Sequence, residues 1–167
     1  MARAGSPFRY RSLLAGCVAL LLAGCASQMP SFTSDQPPAP AAAPELPPAI
    51  KPAEIVGRWG LAAFHRPEDR ARTEAAARNQ CKQPVNIGAG PGGGVMMYLA
   101  DSDKLEELRL KGAPGNKTFV GPAGEAGGAQ DREITSFDGR VMLMRFVDPE
   151  VSGRYGTSVY VRCGPRA

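Results

Sequence analysis

The 167-residue sequence predicts a mainly β fold: a small antiparallel β-barrel, or alternatively a β-sandwich, with one short helix inserted after the first strand. Three observations predict it. Eight short apolar or alternating runs are separated by Gly, Pro or Asp-Gly breaks; one segment alone favours helix; and one Asp-Gly pair suits a tight hairpin. A barrel is preferred over a sandwich because closing the sheet removes its exposed edges.

The first run, 55–64, alternates, with Ile55, Gly57, Trp59 and Leu61 on one face and Val56, Arg58 and Phe64 on the other. The helix follows at about 67–80. Pro67 suits a first helical position, Glu68 and Asp69 suit the first turn, and Ala75 to Ala77 have high propensity. Glu74 and Arg78 have the i,i+4 spacing of an ion pair. Later strands are expected at 84–87, 95–100, 105–111, 117–120, 132–137, 140–148 and 157–163. Asp138-Gly139 supplies the positive φ of a two-residue hairpin loop between two of them. Val141, Leu143 and Val147 alternate with Met142, Met144 and Phe146, so that strand is expected to be buried on both faces, with the helix outside it.

Three segments make up the chain: 1–24 as a leader, 25–52 as a tether and 53–167 as a globular domain. The leader carries Arg3, Arg9 and Arg11 and no acid, then an apolar run of about half the length needed to span a bilayer. The tether has prolines at 30, 37, 38, 40, 44, 47, 48 and 52 among alanines and serines, a composition that cannot bury a core. It predicts a polyproline-rich spacer reaching at most about 80 Å.

Charge excludes one class of partner. The chain carries 20 basic and 16 acidic residues, but removing the leader's three arginines leaves a net charge of +1, too little for a nucleic-acid footprint. Four cysteines are present. Cys17 leaves with the leader and Cys25 is assigned below, so Cys81 and Cys163 remain as a disulfide pair in an oxidising compartment. Metal ligation by them is disfavoured, because His65 is the only histidine and no third cysteine remains.

Several residues resemble chemistry without completing it. Gly88 to Gly93 satisfies G-x-G-x-x-G, but a strand follows where a phosphate cradle needs a helix, and Pro91 lacks an amide. His65 has Glu68 and Asp69 nearby, yet no nucleophile is evident. Asp101/Asp103 and Glu106/Glu107 read as solvated turn and strand-edge charges. Met96, Met97, Met142 and Met144 suit core packing or an apolar pocket. An arginine among Arg58, Arg109, Arg145, Arg154 and Arg162 that points inward would need a carboxylate or an aromatic face. No cofactor is implied, and the oligomeric state is not legible.

Leu22-Ala23-Gly24-Cys25 resembles the lipobox of bacterial lipoproteins. The same letters at 14–17 follow Arg11 too closely for an apolar approach. The resemblance implies cleavage before Cys25, diacylglyceryl and N-acyl modification of that cysteine, and a membrane as partner. Ala26, in place of Asp, implies the outer membrane, with the domain facing the periplasm. Gly57-Arg58-Trp59 is similar to the Gly-x-Trp that opens lipocalin-type barrels, where an arginine of the last strand, here Arg162, packs over the tryptophan. The whole layout also resembles lipoproteins with a metalloprotease-inhibitor-like barrel. The expectation is therefore a non-enzymatic envelope module for binding or structure, with envelope proteins or a protease as partner. The alternatives are a periplasmic protease inhibitor and a lipocalin-like binder of apolar ligands, with Trp59 and Arg162 as candidate binding residues and a cavity lined from Val95, Met97, Leu143 and Met144.

Overall fold

The computed structural model describes residues 45–164; the leader, Cys25 and most of the tether lie outside them. The segments are α1 (Pro52–Ile55), β1 (Gly57–Phe64), α2 (Arg70–Asn79), β2 (Val85–Ala89), β3 (Val95–Tyr98), β4 (Leu105–Ala113), β5 (Lys117–Gly121), β6 (Arg132–Phe137), β7 (Val141–Phe146), α3 (Pro149–Tyr155) and β8 (Thr157–Arg162). The eight strands follow one another around a closed barrel, each antiparallel to the next, and β8 pairs back onto β1 from Trp59↔Arg162 to Phe64↔Thr157. The fold class is thus a closed antiparallel barrel rather than a sandwich.

Alternation along the strands sorts side chains into two cores. Inside the barrel are Trp59, Ile87, Val95, Leu108, Val120 and Met142, with Met97, Met144 and Tyr160 among their neighbours. Outside β7 and β8, Leu143, Val159 and Val161 cluster with Ala77 of α2. β7 is buried on both faces as expected, but α2 packs on β1 and β8 rather than squarely over β7, and Leu143 is covered at the edge of that cluster. At Gly60 on β1, a Cβ would stand 1.9 Å from the Ala77 carbonyl oxygen, so α2 can approach only because that position carries no side chain.

Cys81 and Cys163 form a disulfide, with Cα atoms 5.4 Å apart, that fastens the end of α2 to the end of β8. The helical segment begins and ends in 3₁₀ turns, Pro67–Asp69 and Gln80–Lys82, and Arg78 meets Glu74 at 3.0 Å.

Four local expectations are corrected. Ile55 ends a helical turn, Pro52–Ile55, rather than opening β1, which starts at Gly57; Pro52 suits a first helical position and Glu54 accepts from the Lys51 amide at 2.8 Å. The β6–β7 connection is not a two-residue loop: strands stop at Phe137 and resume at Val141, and only Gly139 has positive φ. The Asp138 carboxylate organises it by accepting from the Arg140 and Val141 amides, at 2.8 and 2.7 Å. A further helix, α3, follows β7, where Asp148 caps the amides of Glu150 and Val151 and Gly156 ends the turn at φ 68°. The domain also begins ahead of residue 53, since Leu46 bridges to Gly112 and the Ala49 amide donates to Thr118 Oγ1 at 3.1 Å.

Candidate ligand site at the barrel mouth

An up-and-down barrel has two ends, and this one treats them differently. At the end where β1 starts and β8 finishes, α1 carries buried Ile55 against Trp59, whose indole Nε1 donates to the Ile55 carbonyl at 2.8 Å. The Arg162 guanidinium lies 4.1 Å above the Trp59 ring. It also donates to the carbonyls of Gly139 at 2.9 Å, Val56 at 3.0 Å and Glu54 at 2.5 Å. Gly57 is required here: its φ is +146°, and a Cβ would stand 2.6 Å from an Arg162 nitrogen. Trp59 and Arg162 thus fill this end, and Trp59 is wholly buried.

The other end stays open. A cleft of about 440 Å³ sits among Leu61, Met97, Arg132, Phe146, Tyr155 and Tyr160, a size within the range of small-molecule sites. β2 begins only at Val85, opposite Trp59, so the upper half of β1 has no partner on that side and the wall is notched there.

Register places two polar side chains in the cleft. Arg132 pairs with Val120, whose side chain is in the inner core, so both point inward. Tyr160 pairs with Leu61 and Met142 and shares their inner face. Arg132 is 7 % exposed and Tyr160 5 %. The Arg132 guanidinium donates to the Tyr98 carbonyl and lies 4.8 Å from the Phe146 ring. Burial pushes the Tyr160 phenol pKa up, with the charge of Arg132 acting in the opposite sense.

The rim is built from α3 and the β3–β4 connection. Asp101, held at φ 56°, accepts from the Tyr155 hydroxyl and from Arg154 at 2.9 Å. Its hydrogen bond holds the Tyr155 phenol above its ordinary pKa, and its charge raises Arg154. His65 is exposed, with Nε2 3.3 Å from the Arg154 carbonyl oxygen. Glu68 and Asp69 turn instead to Arg66, each at 3.5 Å, and Asp69 also to Arg72 at 3.1 Å, so the three groups do not converge.

The other sequence candidates are dispersed. Met97 lines the cleft, Val95 and Met144 pack in the filled interior, and Leu143 lies outside the barrel at the edge of the α2 cluster. Arg58 is exposed, while Arg145 is 4.0 Å from Glu133. Glu107 corrects the reading of solvated edge charges. Its carboxylate accepts from the amides of Gly92 at 2.9 Å and Gly94 at 2.8 Å, which holds its pKa below the ordinary value. The glycine-rich loop therefore cradles an anion, but one supplied by the chain itself.

A larger open groove of about 820 Å³ lies against Leu46 to Pro48 and the β5–β6 connection. Its ammonium, Lys111, is committed to Asp131 at 2.7 Å and to the Pro122 and Glu125 carbonyls, both at 2.9 Å. Among the described residues no cluster of three or more His, Cys, Asp or Glu is placed to hold a metal ion.

Sequence reasoning missed Arg132 because it heads its strand, where the facing is set by the partner strand. The available signal was its phase with Ile134, two residues on and also in the inner core. The described domain belongs to the class of closed, eight-stranded, up-and-down antiparallel barrels. Compared with family models, curated proteins and solved structures, the chain matches none.

Proposed function

We propose that this protein is a lipid-anchored, non-enzymatic binding module of the bacterial envelope, whose barrel mouth takes a small, largely apolar ligand. The observation that carries this reading is the cleft between Leu61, Met97, Phe146 and Tyr160, open at one end of a barrel whose other end is filled. Placement rests on the Leu22-Ala23-Gly24-Cys25 resemblance: signal-peptide removal, a diacylglyceryl and an acyl chain such as palmitate on Cys25, and attachment to the outer membrane on the periplasmic side. Two buried acyl chains suffice for stable anchoring.

Binding is tested with the full mature chain carrying Cys25→Ser, which needs no detergent, and an uncharged solvatochromic probe such as N-phenylnaphthylamine. Saturable, blue-shifted emission is expected, lost in Ala63→Trp, which fills the mouth from the exposed upper end of β1. Emission that never saturates, or that Ala63→Trp leaves intact, overturns the reading. Intact mass of the native protein tests the anchor independently.

A further inference from the structure

We propose that the ligand of the mouth carries a carboxylate on an aliphatic tail, with its oxygens seated between the Arg132 guanidinium and the Tyr160 hydroxyl. This rests on the reading of the mouth as a ligand site and names the chemistry of its occupant.

A buried guanidinium is costly unless an opposite charge or a full set of acceptors meets it. Arg132 is more than nine-tenths buried, and its contacts are the Tyr98 carbonyl and the face of Phe146, both uncharged. None of the ion pairs among the described residues includes it. The nearby rim carboxylate, Asp101, is already engaged by Arg154 and Tyr155. At the opposite end, Arg162 lies over an indole and donates to three carbonyls, whereas Arg132 donates to one. A guanidinium carries five N–H donors in a planar fork that matches a carboxylate, so Arg132 keeps donors facing the cleft.

Tyr160 supplies the second donor. It lines the same cleft, and because no fully buried side-chain oxygen among the described residues lacks a partner, its hydroxyl, which takes part in no hydrogen bond there, keeps access to solvent through the cleft. A phenol is protonated at neutral pH and burial only raises its pKa further, so Tyr160 can donate to an anion. The walls beyond the two donors are mostly apolar, from Leu61, Met97 and Leu99, which suits a hydrocarbon tail; Asn86, Ser158 and the already engaged Asp101 also line the cleft.

The test compares decanoate with decanol by calorimetry, using the full mature chain carrying Cys25→Ser. The acid is expected to bind roughly tenfold or more tighter than the alcohol, the scale of a hydrogen bond to a charged group. In Arg132→Gln the preference shrinks to about twofold or less. In Tyr160→Phe, which keeps the ring and its packing, the preference falls by about fivefold, on the scale of one lost neutral donor. Equal binding of acid and alcohol to the unmutated mouth, or a preference that survives both substitutions, overturns the carboxylate assignment and leaves the mouth as a site. Failure of both ligands to bind overturns the mouth reading itself. Decyl phosphate is the third arm, and phosphate preferred over carboxylate overturns the choice of head group.

Discussion

Glu107 shows how a single side chain changes the meaning of a motif. The amides of Gly92 and Gly94 would attract any anion, and the one they hold comes from the strand hydrogen-bonded to β3. The amide of Gly94 is the main cause of its lowered pKa, with Gly92 and the charge of Arg109 adding to it against desolvation. A carboxyl depressed in the folded state contributes stability that is fully present above its unfolded pKa and is lost as pH falls through the folded value. The Gly92 and Gly94 amide resonances are therefore expected to titrate together, with a midpoint below the ordinary 4.5. Two-dimensional NMR across that range checks it, and a midpoint at or above the ordinary value contradicts the cradle. Sequence alone identified the loop as unsuited to a phosphate but had no means of seeing Glu107 fold over it, since that contact depends on the β3–β4 register.

The strands were legible because period-2 burial is written directly into residues such as Trp59 and Leu61 or Met142 and Met144, and the inserted helix because proline and alanine mark its start and body. The short helices were not. α3 has seven residues and no buried face, so only its terminal signals, Asp148, Pro149 and Gly156, distinguish it from a loop. The fit of α2 to the barrel was equally hidden, since Gly60 reads in sequence as a simple weakness in a strand. Its role is contact: Gly60→Val is expected to push α2 from β1 and lower stability by about 3 kcal/mol, the upper range of overpacking. Urea unfolding checks this, and an unchanged midpoint would show that α2 does not need that approach.

For the molecule as a whole, barrel closure and the disulfide act on the same pair of strands. β1 and β8 are the most distant strands in sequence, and Cys81–Cys163 links the segment after β1 to the end of β8 across a separation of 82 residues. Restricting so long a loop in the unfolded chain is worth about 4 kcal/mol in the chain-entropy model. Replacing both cysteines by serine is expected to lower unfolding stability by roughly that amount; equal midpoints for the two proteins would mean the bridge is thermodynamically idle. The pairing was readable from cysteine arithmetic, because setting Cys17 and Cys25 aside for an expected leader and lipid left only Cys81 and Cys163. The candidate site was not, because Arg132 and Tyr160 lie on strands β6 and β8 and share a face only through the register of both with β7.

Leu46 joins the barrel beside Gly112, and Gly164 follows the last strand beside the same filled end. The domain is consequently built like a cup with both of its handles at the base. A tag, bead or neighbouring domain joined ahead of residue 45 grips it from beneath and leaves the lip clear, whereas a short insertion between Asp101 and Asp103 lands on the lip itself.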